Sequence, residues 1–509
     1  MGNDVNTMFL FFLSLILACP IIALAINCIL ISRLVFAARC AGYLMGAGFL
    51  IGVGLLTCSS LSIYPETSSL INPDALNLLL CSLVLLVSFV VHRFSLRYMH
   101  GDRLYRRFFL LLSALTLTVQ LMILADNLYL FWSAWFISNL LLVVLMVHKN
   151  EWSAAKNSGL LAFYTLGSGS LFLLAAFVLL TINYSTSSIA LLSQTAAFGD
   201  LSMRSLSLGF ILLAALTQSG LFPFHRWLIS SLNSPTPVSA LMHAGLVNGG
   251  GILVVKFAPL MMLHPGLLNL LFIVGAFSAL LGTVWKLMQH DIKRMLACST
   301  MAQMGFMMMQ CGVGLFAAAI AHLCWHGLFK AYLFLSSGSA VKQNQSELKS
   351  VPPSFMMIFS SLLGGMIAMS SFAFVTNKPV SFSEASAFVL FFAFIAGAQL
   401  MLSWGRTHQT LLSLVSGLVF ASFSGLMYGA SIHLIEWLIP SISNLQAPKL
   451  ASIHWITMGL FGVLWLAFNL GTHKKMGQSK LGCWLYMNLL NSSQPARKTV
   501  TAFRSDYNY

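Results

Sequence analysis

Charge is scarce in this sequence. Of 509 residues only 8% are Asp, Glu, Lys or Arg, and only 12 are acidic, against about 25% charged in an ordinary soluble domain. So little charge leaves too little polar surface to cover a water-exposed globule, which excludes a soluble enzyme. Paired cysteines are missing as well. The nine cysteines stand singly, none in a Cys-x-x-Cys pair, so neither an iron–sulfur cluster nor a zinc ribbon is encoded. Within apolar runs they behave as small hydrophobes. Mid-span carboxylates are absent too: Asp4, Glu66, Asp74, Asp102, Asp126, Glu151, Asp200, Asp291, Glu347, Glu384, Glu436 and Asp506 fall in expected loops, tails or span ends. There is no concentrated basic patch either. The net charge of +15 is dispersed over many loops, which speaks against a nucleic-acid partner.

What the chain does have is hydrophobic length: 58% of its residues are apolar. A bilayer core of about 30 Å needs about 20 apolar residues per helix. By that rule spans are predicted near 8–31, 41–63, 75–92, 108–125, 127–148, 158–182, 205–224, 238–260, 267–287, 296–315, 317–340, 355–375, 386–404, 410–435 and 454–470. The first stretch is too long for a signal-peptide core and is read as a span. The fold class is therefore all-α, a polytopic membrane protein with 13–15 transmembrane helices. Four regions are expected: N-terminal helices over 1–107, a core over 108–345, further helices over 346–470 and a basic tail over 471–509.

Cationic residues test the map independently, because cytoplasmic loops collect them. Of the 27 lysines and arginines, 21 fall in loops after odd-numbered spans or in the tail, and only Arg204, Lys378 and Lys449 after even-numbered ones. An inner-membrane protein is expected, with its N-terminus periplasmic, its C-terminus cytoplasmic and lipid around it.

Lys256, Lys286 and Lys330 remain inside apolar runs, where an ionisable group is costly and usually lines an ion path. Lys256 and Lys286 sit near span ends and have an ordinary alternative, snorkelling to the interface. Lys330 is mid-span, with His322 and His326 eight and four residues before it. That spacing stacks all three on one helix face, and imidazole and a buried lysine can both exchange protons. A proton relay is expected, with helix–helix hydrogen bonding as its plain alternative. A metal at His-x-x-x-His is weaker, since no cysteine or carboxylate lies nearby in sequence.

Two interruptions are predicted. Gly220 and Pro223 fall in Ser219-Gly220-Leu221-Phe222-Pro223-Phe224-His225-Arg226-Trp227, and Gly338 closes the histidine–lysine helix in Ser336-Ser337-Gly338-Ser339. Non-helical backbone at membrane depth is tolerated only beside a cavity or within protein. After the first break, Pro235 and Pro237 open a span that carries His243 in its first turns, a second relay candidate.

These segments, with Asp291 to Ala297, Ser299 to Phe306 and His322 to Lys330, resemble the antiporter-like membrane subunits of respiratory complex I and of Mrp cation/proton antiporters. The resemblance implies an antiporter-like fold and is strongest over about 120–345. Phe224-His225-Arg226-Trp227, Leu241 to Asn248, Ala302 to Phe306 with Gln310-Cys311-Gly312, and Phe334 to Ser339 resemble in particular the DabB family, membrane subunits of inorganic-carbon uptake systems. That implies an ion-conducting chain, for H⁺ or Na⁺, that couples a cation gradient to uptake of carbon dioxide or bicarbonate. The implied partner is a DabA-like, carbonic-anhydrase-like subunit on the cytoplasmic face. Zinc is expected in that partner, and no cofactor and no enzymatic centre on this chain.

Departures from the respiratory pattern stand out. Where those subunits carry a fifth-span glutamate after a tryptophan, Trp135 is followed by Phe136; where they carry a lysine before the first break, Gln218 stands. The polar tail from Gly471 is too short and too lightly apolar for their lateral helix. A cation/proton antiporter subunit, a proton-translocating subunit of an NADH–quinone oxidoreductase and a passive membrane anchor are the competing readings.

Overall fold

A computed structural model describes residues 2–60, 70–342, 354–378, 384–407, 410–471 and 479–500. Glu66, Glu347, Lys349, Lys474, Lys475, Arg504 and Asp506 lie outside the described residues.

The long helices are α1 (Gly2–Ile29), α2 (Leu34–Ser60), α3 (Ala75–Tyr98), α4 (Tyr105–Leu124), α5 (Leu128–Met146), α6 (Ser153–Tyr184), α7 (Leu201–Gln218) and the interrupted α8 (Thr236–Lys256). They continue with α9 (Pro265–Met288), α10 (Ile292–Gly312), α11 (Phe316–Leu335), α12 (Phe355–Thr376), α13 (Ser386–Thr407), α14 (Leu411–Leu438) and α15 (Ser452–Asn469). Among the described residues, 14 helices are long and apolar enough to cross a membrane. The one long helix that falls short is α10. It carries Thr300, Gln303 and Gln310, yet its 21 residues span about 31 Å at 1.5 Å per residue. Thr300 and Gln310 are fully buried against neighbouring helices, so they need no lipid-facing position, and only Gln303 is exposed.

The carboxylates at the span ends have structural work. Asp74, Asp200 and Asp291 each cap a helix, accepting a backbone N–H from Asn77 (2.7 Å), Met203 (2.8 Å) and Arg294 (2.9 Å). Such a cap satisfies one of the donors left open in a first turn. The two near-linkerless pairs are turned by Asn127, which caps α5 through Tyr129 and Leu130, and by Gly314, whose φ of 83° suits glycine.

Cross-connections sort the loops into two ends. At one end Arg106 donates to the backbone of Asn27 and Cys28, and His148 meets Asp102 at 3.1 Å. At the other, Arg204 donates to His264 at 2.7 Å and Lys378 pairs with Glu436 at 2.7 Å. Connections after odd-numbered and after even-numbered spans thus keep separate company, as an alternating topology requires.

The tail is not merely solvated. A short helix α16 (Lys480–Ser492) leads into a strap on the first end. There Gln289 donates to Ser493 (2.9 Å), Asn157 to the Lys498 carbonyl (2.9 Å), Asn233 to the Thr499 carbonyl (2.9 Å), and the Ala496 N–H to Ser230 (3.1 Å).

Small residues set the tightest packing. A Cβ on Gly282 would come within 2.6 Å of the Ala302 nitrogen, and one on Gly305 within 2.6 Å of the Ala279 nitrogen, so α9 and α10 meet backbone to backbone, as small residues permit in membranes.

Candidate functional site: a buried polar row at a broken helix

The central interruption is inside α8. Its first half ends at Ala244, a 3-10 turn covers Leu246–Asn248, and the second half runs Gly249–Lys256. This corrects the expected breaks. Pro235 and Pro237 form the helix start, as N-cap and in the first turn, where a missing N–H costs nothing. Gly220, with φ of 60°, and Pro223 lie in the connection after α7 has ended at Gln218. Gly338 lies in a terminal 3-10 turn, Ser337–Lys342, after an unbroken α11.

The broken backbone is repaired by side chains. Gln218 Nε2 donates to the Leu246 carbonyl (3.2 Å), Ser219 Oγ to that of Val247 (2.9 Å), and Asn248 Nδ2 to that of Ala244 (2.8 Å). The Val247 and Ala244 carbonyls would otherwise be orphaned at membrane depth, while that of Leu246 also accepts the Gly249 N–H. The helix can come this close to α7 because Gly250 lacks a Cβ, which would lie 2.3 Å from the Ala215 carbonyl oxygen.

Around the break lies a polar row. His326 Nδ1 meets Asn248 Oδ1 at 3.1 Å. Since Asn248 spends its amide N–H on Ala244, its Oδ1 must accept, so His326 carries its proton on Nδ1. The neutral ring then presents a bare lone pair at Nε2, and that atom is buried without a hydrogen-bond partner. His322 lies one turn earlier, its ring stacked on that of His326 at 6.0 Å, and its own Nε2 is also unpartnered. Lys330 is fully buried and donates to the Leu296 carbonyl of α10 at 3.2 Å. His243 stacks on Phe334 with ring centroids 4.3 Å apart and leaves Nδ1 unpartnered. Gln218 also donates to Asn139 Oδ1 at 3.0 Å. At the α7 position where the respiratory pattern has a lysine, the neutral amide of Gln218 thus meets a second neutral amide on α5. Trp135 Nε1, Asn139 Nδ2 and, on α4, both polar atoms of Gln120 are likewise buried without partners. Polar atoms left unpartnered at this depth are costly unless water reaches them.

The structure therefore brings His243, His322, His326, Lys330 and Gln218 to one region, with Lys286 at its edge within electrostatic reach of Lys330, and leaves Lys256 outside it. Lys286 is exposed near the end of α9, which fits snorkelling. Lys256 does not snorkel: it is buried at the far end of α8 and donates to the Ile123 carbonyl at 2.6 Å. Sequence reasoning missed Asn248, Asn139 and Gln120. The available signal was Asn248 followed by three glycines, a polar residue ahead of a stretch with no side chains to hold it apart from α7. Among the described residues no cluster of three His, Cys, Asp or Glu offers a metal site.

The family described as "NADH:quinone oxidoreductase/Mrp antiporter, TM" matches residues 125–356, and "NADH-Ubiquinone oxidoreductase (complex I), chain 5 N-terminus" matches 69–109. With the bundle and its broken helix, these define the class: a multi-pass, antiporter-like membrane subunit. The chain is 34% identical to a probable inorganic carbon transporter subunit DabB of Bacillus subtilis, over 76% of this chain and 77% of that protein. It is 32% identical to the DabB of Bacillus anthracis over 85% and 84%, respectively. The chain belongs to the DabB family of inorganic carbon transporter subunits. With DabB1 of Halothiobacillus neapolitanus it shares 40% identity over 53% of this chain and 49% of that one. A solved Mrp complex from Dietzia sp. DQ12-45-1b has the same fold, with a TM-score of 0.59 and 22% identity over 97% of this chain and 52% of its own.

Proposed function

We propose that this chain is the cation-conducting subunit of an inorganic-carbon uptake complex, and that the cation is H⁺. The observation that carries the reading is the unpartnered Nε2 of a buried, neutral His326 between His322 and Lys330. A proton can be held at that lone pair and passed along the helix face, with water filling the gaps between the orphaned atoms. Reaching the row from the N-terminal, periplasmic side, it passes His322, His326 and Lys330 toward the cytoplasm, with His243, stacked on Phe334, at the inner end of the row. One charge moving down about 100 mV releases about 2.3 kcal/mol. That energy biases carbon dioxide hydration toward bicarbonate in a DabA-like zinc subunit on the cytoplasmic face. The chain's part is to bind, orient and pass the proton; the carbon chemistry belongs to the partner. The lysine- and arginine-rich connections share one end of the bundle with the strap, which supports that end as cytoplasmic.

Uptake of labelled inorganic carbon in carbonic-anhydrase-deficient cells tests this. Accumulation that requires both chains and collapses with an uncoupler is the expected result. A sodium-tolerance phenotype without carbon accumulation would transfer the chain to the antiporter reading.

A further inference from the structure

Three charged groups converge at the end of α8 opposite the strap, and the polar row uses none of them. Lys256, Asp74 and Asp126 line a cavity of about 180 Å³ together with Asn72, Asn77 and Ser193. Two carboxylates against one ammonium leave the pocket one negative charge in excess. Neither carboxylate comes within 4.0 Å of Lys256 among the described residues; the ammonium is spent on the Ile123 carbonyl.

The two carboxylates differ in what they do. Asp126 has both oxygens engaged, one by the Ala190 N–H (2.9 Å) and one by the Ser188 hydroxyl, so it ties the α4–α5 turn to residues 188–190. Asp74 uses Oδ1 to cap α3. Beside it, Asn77 gives its amide N–H to the Asn72 carbonyl at 2.7 Å, so its Oδ1 must be an acceptor. That oxygen is buried, on a residue only 2% exposed, and has no partner. An acceptor left bare beside a carboxylate, in a pocket with excess negative charge and room for water, calls for one more proton.

We propose that Asp74 is the proton-exchange group at the outer mouth of this chain, with cavity water and Asn77 Oδ1 holding the proton on its way to or from the row. The proposal rests on the proton-conduction reading above. The Asp74 carboxylate takes a proton from a hydronium ion, releasing water, and returns it to a cavity water whose O–H then donates to Asn77. Burial pushes the Asp74 carboxyl above the usual carboxylate range; Lys256 and the Asn77 N–H pull it partly back, and Asp126 raises it again. The titratable groups facing it are Lys256 from α8, Asp126 from the α4–α5 turn and Cys81 from its own helix. Residues 189–193 and 441–445, which close the cavity, bring none.

Capping and proton exchange can be separated. Asparagine caps a helix as well as aspartate does but does not titrate, whereas glutamate titrates and caps poorly. Initial rates of uncoupler-sensitive carbon uptake are measured across external pH, in cells carrying the complete two-chain complex and matched for membrane level. Asp74→Asn is expected to lower the rate at least tenfold and flatten its pH profile, and Asp74→Glu to restore both in part. Asn77→Leu is expected to lower the rate with the profile kept. A wild-type rate and profile in Asp74→Asn would overturn the assignment and leave the conduction reading standing. A wild-type rate set by external sodium at fixed pH, with that dependence lost in Asp74→Asn, would reassign the pocket to a metal cation. Absence of uncoupler-sensitive uptake in the wild type would sink both.

Discussion

His326 Nδ1 and Asn248 Oδ1, 3.1 Å apart, join an unbroken helix to the break in its neighbour. The contact fixes the imidazole tautomer and so decides which nitrogen faces the row.

Asn248→Leu is expected to do two things. It strips the donor from the Ala244 carbonyl and the acceptor from His326, and leaving buried polar groups bare costs about 1–3 kcal/mol each. Thermal unfolding of the purified chain reads the first effect as a lower midpoint. Slower uncoupler-sensitive carbon uptake by the surviving protein reads the second.

Lys330→Ala is expected to reduce uncoupler-sensitive uptake to background with the membrane level unchanged. His326→Gln is expected to act in the same direction, because glutamine can make the Asn248 contact but cannot take a proton at neutral pH. Full uptake in Lys330→Ala would end the relay idea.

Gln218→Lys places a charge against Asn139 at a buried position, where an ion without a counter-charge costs several kcal/mol. A clear fall in membrane level or melting temperature is expected. Adding Asn139→Glu supplies a counter-charge and is expected to recover much of the loss. Equal stability of the single variant and wild type would show the site to be already hydrated enough to hold an ion.

Glycine substitutions separate close approach from open space. Gly282→Leu drives a side chain into the α10 backbone and is expected to abolish accumulation of folded protein. Gly209→Ala, in α7 with nothing within 4 Å of the new methyl, is expected to be neutral or stabilising by about 0.5–1 kcal/mol. Membrane level by immunoblot distinguishes them.

The spans were legible because burial in lipid imposes a one-dimensional pattern: about 20 apolar residues, then a loop with a sign of charge. Even α10, too polar for a lipid-facing helix, was marked by Leu296 to Leu315. The face shared by His322, His326 and Lys330 was legible for a similar reason, being fixed by local helix geometry. The break at Gly245 was not, since Pro235 and Pro237 drew attention to a helix start while the real interruption depends on donors from Gln218 and Ser219, each 28 residues from the carbonyl it serves. Asp74 and Asn77 were hidden likewise, and Lys256, though singled out, had no visible partner. Each reads as an ordinary span-end residue until the start of α3 and the end of α8 meet at one cavity.

The break in α8 also sets two helix ends face to face. The first half presents carbonyls toward the gap and the second half presents N–H groups, so their macrodipoles meet there as roughly half a negative and half a positive charge. A cation at Leu246–Asn248 is drawn toward the His243 side and repelled from the Lys256 side. The backbone itself thereby gives the interior a polarity, directed from the proposed outer cavity to the proposed cytoplasmic strap, before any side chain titrates.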